Sequence, residues 1–142
     1  MLVSFCVIAY NEEKALDSLF KDIIAQDYPH GNIEVILVNA MSTDQTRRKM
    51  EHFSEEDHGF RRVVVLDNAK KIQAAGWNVA ITASKGDIIL RIDAHTMIPH
   101  DFVSKNVQCI LSGENVTGGR RPNVVEEETP WKHTLLLAES SM

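Results

Sequence analysis

Four apolar runs, each followed by a stretch with the spacing of a helix, constrain the fold of this chain more than any other feature. The runs are almost continuous in Val, Ile, Leu and Phe, which is typical of strands buried on both faces of a parallel sheet. Each intervening stretch is long enough to form a crossover helix between parallel strands. The sequence therefore predicts an α/β domain, a mostly parallel sheet with helices on both faces. The predicted strands cover residues 2–10, 33–40, 62–68 and 87–93.

Local signals predict where three of the helices begin or which face they bury. Asn11 is the predicted cap of the first helix, and Ser42 with Gln45 predicts a capping box before the second. The third helix is expected to pack through the apolar residues that recur at helical spacing, which are Ile72, Ala75, Val79, Ala80 and Ala83.

Composition narrows the class of protein. The chain has 142 residues and a net charge of −5, which suits one domain and argues against binding to the phosphate backbone of nucleic acids. No apolar run approaches the roughly 20 residues of a membrane span, and no basic, apolar leader opens the chain. The two cysteines, Cys6 and Cys109, are expected to be buried thiols in a reducing compartment. We therefore expect a cytoplasmic protein that does not bind nucleic acids.

The alternation of strands and helices stops near residue 119. Residues 120–142 contain an acidic loop with Glu126, Glu127 and Glu128, and then a stretch that can form a short helix. No closing element follows, so we expect the domain to continue beyond Met142.

Polar side chains follow the predicted strands at the edge where an open parallel sheet binds ligands. Tyr10 and Glu12 follow the first strand, Asn39 ends the second, and Asp93 and His95 end the fourth. Each residue alone has an ordinary structural explanation, as a turn former, a helix cap or a first-turn acid. Their convergence on one edge favours a binding site.

Two common phosphate-binding loops are absent from the sequence. No Gly-x-Gly-x-x-Gly follows the first strand, and no Gly-x-x-x-x-Gly-Lys-Ser/Thr is present. A bound diphosphate would therefore need a divalent cation as its counter-charge. Asp93 and His95 are the predicted metal ligands, and the imidazole suits manganese better than magnesium.

Three segments in order, "VIAYNEE", "EVILVNAMSTDQT" and "DNAKKIQAAGWNVAITASKGDIILRIDAHT", resemble the N-terminal half of family 2 glycosyltransferases of the GT-A fold. The likeness extends from about Val3 to Ile110, and its Asp-Ala-His ending is most similar to enzymes of bacterial exopolysaccharide synthesis, such as the succinoglycan glycosyltransferases. It implies a Rossmann-like GT-A fold, with a nucleotide-sugar-binding domain over residues 1–119 and an incomplete start of the acceptor half over 120–142.

The resemblance also implies a reaction. An inverting enzyme would transfer a sugar from a nucleotide-diphosphate sugar, by family default a UDP-sugar, to a glycan or lipid-linked acceptor in polysaccharide synthesis. It would work at the cytoplasmic face of the membrane and associate with it through a part of the protein beyond this chain. The sugar, the acceptor, the linkage and the oligomeric state are left open.

The same resemblance assigns the site residues. A manganese or magnesium ion would be held by Asp93 and His95, and the catalytic base is expected beyond Met142, with the triple glutamate as a weak alternative. The 142-residue chain is therefore expected to bind the donor without transferring the sugar. The predicted nucleotide-sugar contacts are Ala9, Tyr10, Glu12, Asn39, Lys71, Gln73 and Asp93. Of these, Tyr10 and Glu12 would meet the base and the ribose.

Three positions depart from the family pattern. Asn39 stands where members usually have an Asp that reads uracil, although its amide oxygen can still accept from a ring N–H. Ile8 stands where many have Pro, and His95 replaces a second Asp. Two alternatives stay open: a nucleotidyltransferase, which would usually carry a glycine- and basic-rich loop where "AYNEEK" stands, and a non-enzymatic α/β nucleotide-binding domain.

Overall fold

The computed structural model describes residues 1–119, 129–132 and 134, and the triple glutamate lies outside them. Strands and helices alternate as the sequence predicts. The elements are β1 (Val3–Ala9), α1 (Glu13–Ile24), a short 3₁₀ helix (His30–Asn32), β2 (Ile33–Asn39), α2 (Thr46–Glu55), β3 (Arg62–Asp67), α3 (Gln73–Ala83), β4 (Ile88–Asp93) and α4 (Phe102–Leu111).

The strands form one four-stranded sheet in the order β3-β2-β1-β4, and every neighbouring pair is parallel. The chain moves outward from β1 through β2 to β3 and then returns to place β4 on the other side of β1. The switch in strand order therefore lies between β1 and β4, where Ile8 is aligned with Asp93. A switch of this kind opens a crevice at the carboxyl ends of the two strands.

Helices cover both faces of the sheet, as predicted. The larger core joins the sheet to α1, α2 and α4, and α1 buries Leu16, Leu19, Phe20 and Ile23 against it. The smaller core lies on the other face, where Trp77 and Ala80 of α3 pack against Cys6, Ile36 and Val38. The sheet thus has a rigid centre from which its carboxyl-end loops project.

The predicted helix caps are wrong. Asn11 has a φ of +54° and Glu12 takes the cap position of α1. The capping box of Ser42 and Gln45 does not form, because the Ser42 hydroxyl accepts a hydrogen bond from the Asn11 N–H at 3.0 Å. Asp44 accepts from the N–H of Thr46, the first residue of α2, at 2.9 Å. Asp44 also accepts from the Glu13 N–H at 3.2 Å, so Ser42 and Asp44 both bond to the β1–α1 loop and the start of α1, and a local pattern does not show such pairing.

The buried face of α3 agrees with the prediction in part. Ala80 is buried, and Val79 and Ala83 pack partly buried against the same core, as predicted. Gly76 and Trp77 are also buried, whereas Ile72 is 61% exposed. Gly76 permits this close packing, since a Cβ there would lie 3.0 Å from Cδ1 of Ile8. The expectation that both cysteines are buried is wrong for one of them. Cys6 of β1 is buried, but Cys109 of α4 is exposed.

A buried carboxylate joins the strands at the edge opposite the switch crevice. Glu34 of β2 is 1% exposed and accepts hydrogen bonds from the Ser4 hydroxyl, from Nε of Arg62 at 2.6 Å, and from the N–H groups of Lys85 at 2.5 Å and Gly86 at 3.1 Å. Burial raises the pKa of Glu34, but these donors outweigh it and hold the pKa below its ordinary value. The network ties β1, β2, β3 and the turn before β4 together.

Candidate functional site

A pocket of about 210 Å³ lies at the carboxyl ends of β1 and β4, at the switch in strand order. Six of the residues that the sequence singled out line it together, although the loops that carry them are far apart in the chain. The lining residues are Ile8, Tyr10, Glu12, Ala40, Lys71, Gln73, Asp93, Ala94 and His95.

The β1–α1 loop presents Tyr10 and Glu12 to this pocket. Tyr10 is 52% exposed, and the next residue, Asn11, has the left-handed backbone that asparagine tolerates well. The loop is held from outside: the Glu12 N–H donates to Oγ1 of Thr46 at 2.8 Å, and Oδ1 of Asn11 accepts from the Thr43 N–H at 2.8 Å. The position of Tyr10 therefore depends on the β2–α2 loop.

The β3–α3 loop brings Lys71 and Gln73 to the pocket wall, and sequence reasoning missed the residue that shapes it. Asn68 is buried, donates from Nδ2 to the Ile72 carbonyl at 2.9 Å, and accepts from the Lys70 N–H at 3.2 Å. Lys71 then takes a φ of +58°. An Asn directly after a strand was a turn signal that could have identified Asn68.

Glu12 and His95 meet across the crevice. Oε1 of Glu12 lies 3.2 Å from Nδ1 of His95, although the two residues are 83 positions apart. Glu12 keeps 29% of its side chain exposed and His95 keeps 67%. The sequence predicted both residues at the site but not this pairing.

Asp93 and His95 suit a divalent cation whose remaining ligands come from a phosphate group and water. Asp93 is the last residue of β4, and the N–H of Thr96 bonds to its carbonyl at 3.0 Å, which turns the chain so that His95 follows at the pocket edge. Within the described residues, no cluster of three or more His, Cys, Asp or Glu side chains could hold a metal by itself. Magnesium and manganese sites commonly use one or two protein ligands, with phosphate oxygens and water completing the shell. The residues present therefore fit such an ion.

Ala9 and Asn39 do not join the pocket lining, unlike the other predicted contacts. Asn39 is 2% exposed, its Oδ1 accepts from the Ser42 N–H at 3.0 Å, and its Nδ2 donates to Oδ1 of Asp67 at 3.0 Å. Asp67 is also paired with Arg47. The Asn39 amide lowers the pKa of Asp67 below its ordinary value, and Arg47 adds to the effect. The carboxylate beside Asn39 therefore belongs to Asp67, whose side chain is 40% exposed.

A larger depression, of about 610 Å³, lies between the end of β3 and α3. Small and apolar side chains such as Ala75, Val79 and Ala83 make up much of its wall, with Asp67 and Lys70 at one end. The smaller pocket is the better candidate for a functional site, because acidic, basic and imidazole groups converge there at the topological switch.

The family model described as "Glycosyl transferase family 2" matches residues 4–141. The chain belongs to glycosyl transferase family 2. Membership agrees with the resemblance on which the site was predicted, and it favours the glycosyltransferase over the nucleotidyltransferase and non-enzymatic alternatives.

Two curated relatives illustrate the family. The chain is 33% identical over 104 residues to "Succinoglycan biosynthesis protein ExoA" of Rhizobium meliloti (strain 1021). This alignment covers 72% of this chain and 30% of that protein. It is 27% identical over 106 residues to "Dolichyl N-acetyl-alpha-D-glucosaminyl phosphate 3-beta-D-2,3-diacetamido-2,3-dideoxy-beta-D-glucuronosyltransferase" of Methanococcus voltae, with 75% of this chain and 33% of that protein covered. The chain spans about a third of the length of these curated relatives.

A solved structure shares the fold. The "Mannosyltransferase PcManGT from Pyrobaculum calidifontis in complex with GDP-Man and Mn2+" superposes with a TM-score of 0.74 at 25% identity, covering 84% of this chain and 36% of that one. The parallel sheet with helices on both faces is therefore the GT-A fold of these enzymes. Over the part of the chain that the structure describes, none of the helices has the length and apolar character to cross a bilayer.

Proposed function

We propose that this chain provides the nucleotide-sugar-binding part of a glycosyltransferase that moves a sugar to a glycan or lipid-linked acceptor in polysaccharide synthesis. One observation carries the proposal: Tyr10, Lys71, Asp93 and His95 line a single pocket at the switch between β1 and β4. An aromatic ring, a cation and two metal-type ligands are the groups that a base, a diphosphate and its counter-ion require.

Asp93 and His95 would hold a manganese or magnesium ion on the diphosphate. When bound, the ion stabilises the negative charge of the departing diphosphate. Lys71, whose backbone is fixed by the Asn68 turn, would add a positive charge in the pocket lining, and Gln73 would donate a hydrogen bond. A pairing with Mn²⁺ is supported by PcManGT, whose structure contains GDP-Man and Mn²⁺.

The ring of Tyr10 would stack on the base, since it is half exposed at the pocket rim. We propose uridine as the nucleoside, with guanosine as the alternative that the experiment must separate. Ala9 and Asn39 are each 2% exposed and outside the pocket lining, so they would support the site without contacting the nucleotide sugar directly. Glu12 was predicted at the base and ribose, and in the structure its carboxylate contacts His95.

Transfer itself needs a base that removes the proton from an acceptor hydroxyl as its oxygen attacks the anomeric carbon from the opposite side. We propose that this base belongs to the acceptor half, beyond the residues described. The name of the Methanococcus voltae relative contains a dolichyl N-acetyl-alpha-D-glucosaminyl phosphate, which supports a lipid-linked acceptor. An acceptor of that kind would place the whole protein at the cytoplasmic face of a membrane.

Calorimetry with UDP, with and without Mn²⁺, tests the donor site. We expect UDP binding to need Mn²⁺ or Mg²⁺ and to be lost in chelator, with GDP binding less tightly. Asp93→Asn should keep the fold, because a strand-end Asp that is partly exposed is not core, but should abolish most metal-dependent binding. His95→Ala should weaken binding less, since one carboxylate, phosphate and water can still hold the ion.

Glu55→Gln is the matched control, because it removes an exposed carboxylate at the end of α2, away from the pocket. It should bind as the unchanged protein does. Equal UDP affinity in chelator and in Mn²⁺ would contradict the metal-bridged site, and a larger loss from His95→Ala than from Asp93→Asn would reverse the two ligand assignments.

A further inference from the structure

The carboxylate of Glu12 contacts His95 from a backbone that is hydrogen-bonded on both sides. Its N–H donates to Thr46 at 2.8 Å, and its carbonyl accepts from Ala15 and Leu16 at 3.1 Å each, so the residue is fixed at the start of α1. His95 follows Ala94, which is 2% exposed and anchors the end of β4. The 3.2 Å contact between Oε1 and Nδ1 thus joins two fixed loops across the switch crevice.

A carboxylate oxygen can only accept a hydrogen bond, so in the neutral imidazole the proton must lie on Nδ1. Nε2 then carries the lone pair that a metal ion needs. A histidine without such a partner has no reason to prefer this tautomer, and its ring can turn away from the ion. Carboxylates that orient a metal-binding histidine in this way raise metal affinity without touching the metal.

We propose that Glu12 is a positioning residue, which holds His95 in the Nδ1–H tautomer and presents Nε2 to the divalent cation. The inference rests on the proposed function, since it requires the ion that Asp93 and His95 would share. It differs from the contact with base and ribose that the family resemblance implied. A residue that contacts the nucleotide acts on nucleotide affinity with or without His95, whereas a positioning residue acts only through the imidazole.

The tautomer can be measured without any metal. ¹⁵N NMR spectra of the histidine side chains, recorded at pH 8.5, should show His95 with its proton on Nδ1. Glu12→Ala should move the proton to Nε2 or produce a mixture, and Glu12→Gln should keep it on Nδ1, because the amide oxygen still accepts. Glu13→Gln is the matched control, since it removes the neighbouring carboxylate, which bonds to the Gln45 N–H instead. A His95 ring that is unchanged in Glu12→Ala would overturn the proposal.

Mn²⁺ affinity in the presence of UDP gives the second readout. Glu12→Ala should weaken Mn²⁺ binding by about 10- to 100-fold, the usual effect of removing such an orienting carboxylate. Glu12→Gln should lose less. In a His95→Ala background, Glu12→Ala should have no further effect, because the two changes remove the same interaction.

Electron paramagnetic resonance of bound Mn²⁺ should show nitrogen coupling in the unchanged protein and in Glu13→Gln. The coupling should be lost in His95→Ala and reduced in Glu12→Ala. Additive losses in the double variant would assign Glu12 to the nucleotide and overturn its positioning role, while the donor site stands. An unchanged protein that binds no Mn²⁺ with UDP would instead refute the proposed function, and the metal-directed part of this inference with it.

Discussion

Restoring an aspartate at position 39 should destabilise this protein, although the family resemblance places one there. The amide Nδ2 of Asn39 lies 3.0 Å from Oδ1 of Asp67 and donates to it, and Asn39 is 2% exposed. Asn39→Asp replaces that donor with a carboxylate oxygen of nearly the same size. Two carboxylates would then face each other at the distance of a hydrogen bond.

The magnitude follows from the geometry. Two unit charges 3 Å apart repel by about 1.4 kcal/mol in water and by about 5.5 kcal/mol at an effective dielectric constant of 20. Asp67 keeps 40% of its side chain exposed and remains paired with Arg47, so the repulsion lies toward the low end. Together with the lost hydrogen bond, worth about 1 kcal/mol, we expect Asn39→Asp to lower the free energy of unfolding by about 2 kcal/mol at pH 7.

Urea denaturation at pH 7 measures this change, with two matched variants. Asp67→Asn alone should cost less than about 1 kcal/mol, because its amide oxygen can still accept from Asn39 and the lost ion pair with Arg47 is solvent-exposed. The exchanged double variant, Asn39→Asp with Asp67→Asn, should recover at least half of the loss, since it restores one donor and one acceptor. The penalty of Asn39→Asp should also shrink at lower pH, as one of the two acids takes up a proton. A single variant within about 0.5 kcal/mol of the unchanged protein at pH 7 would refute the reasoning.

Two further predictions concern the Glu34 network at the other edge of the sheet. Gly86→Ala should lower the free energy of unfolding by more than about 2 kcal/mol in urea denaturation, because its Cβ would lie 2.5 Å from Ser4 Oγ and 2.6 Å from the Ser4 backbone nitrogen. Gly31→Ala is the control and should be near neutral, because its Cβ would meet nothing within 4 Å. The Glu34 pKa is lowered by folding, so its contribution is present above its ordinary value of 4.5 and is lost as the pH falls through the folded-state pKa. Glu34→Gln should therefore cost about 3 kcal/mol at pH 7 and flatten the fall in stability below pH 4.5; an equally steep fall would show that other acids dominate.

The fold class could be predicted from the sequence because buried parallel strands leave a direct signal. Val3–Ala9 and Ile33–Asn39 are apolar almost throughout, and the helix between them buries a stripe at helical spacing. Strand order leaves no such signal, since the crossovers on either side of β1 look alike. Glu34 was missed for a related reason: a single acid in an apolar run reveals nothing of the donors that three separate segments supply.

The candidate site was predictable where chemistry follows a strand end, as with Tyr10 and Asp93. Lys71 and Gln73 came only from the family resemblance, because their approach to the pocket depends on the turn that buried Asn68 forms. The capping pattern at Ser42 was misleading, since its hydroxyl bonds to the neighbouring loop rather than to its own helix. Local sequence rules fail here because the polar groups of one loop at this edge form hydrogen bonds with the neighbouring loop.

The pairing of Glu12 with His95 shows what strand order adds to a motif. Asp93-Ala94-His95 occupies a few adjacent positions, and its spacing can be read directly, but the spacing says nothing of which ring nitrogen holds the proton. That choice is made by a residue 83 positions away, which reaches His95 only because β4 returns to lie beside β1. Thr46→Val keeps the motif but removes the acceptor of the Glu12 N–H, and it should therefore displace the β1–α1 loop. We expect this variant to weaken Mn²⁺ binding although every metal ligand is intact. The same variant should leave the secondary structure unchanged by circular dichroism, and full Mn²⁺ affinity in it would show that the ligands alone define the site.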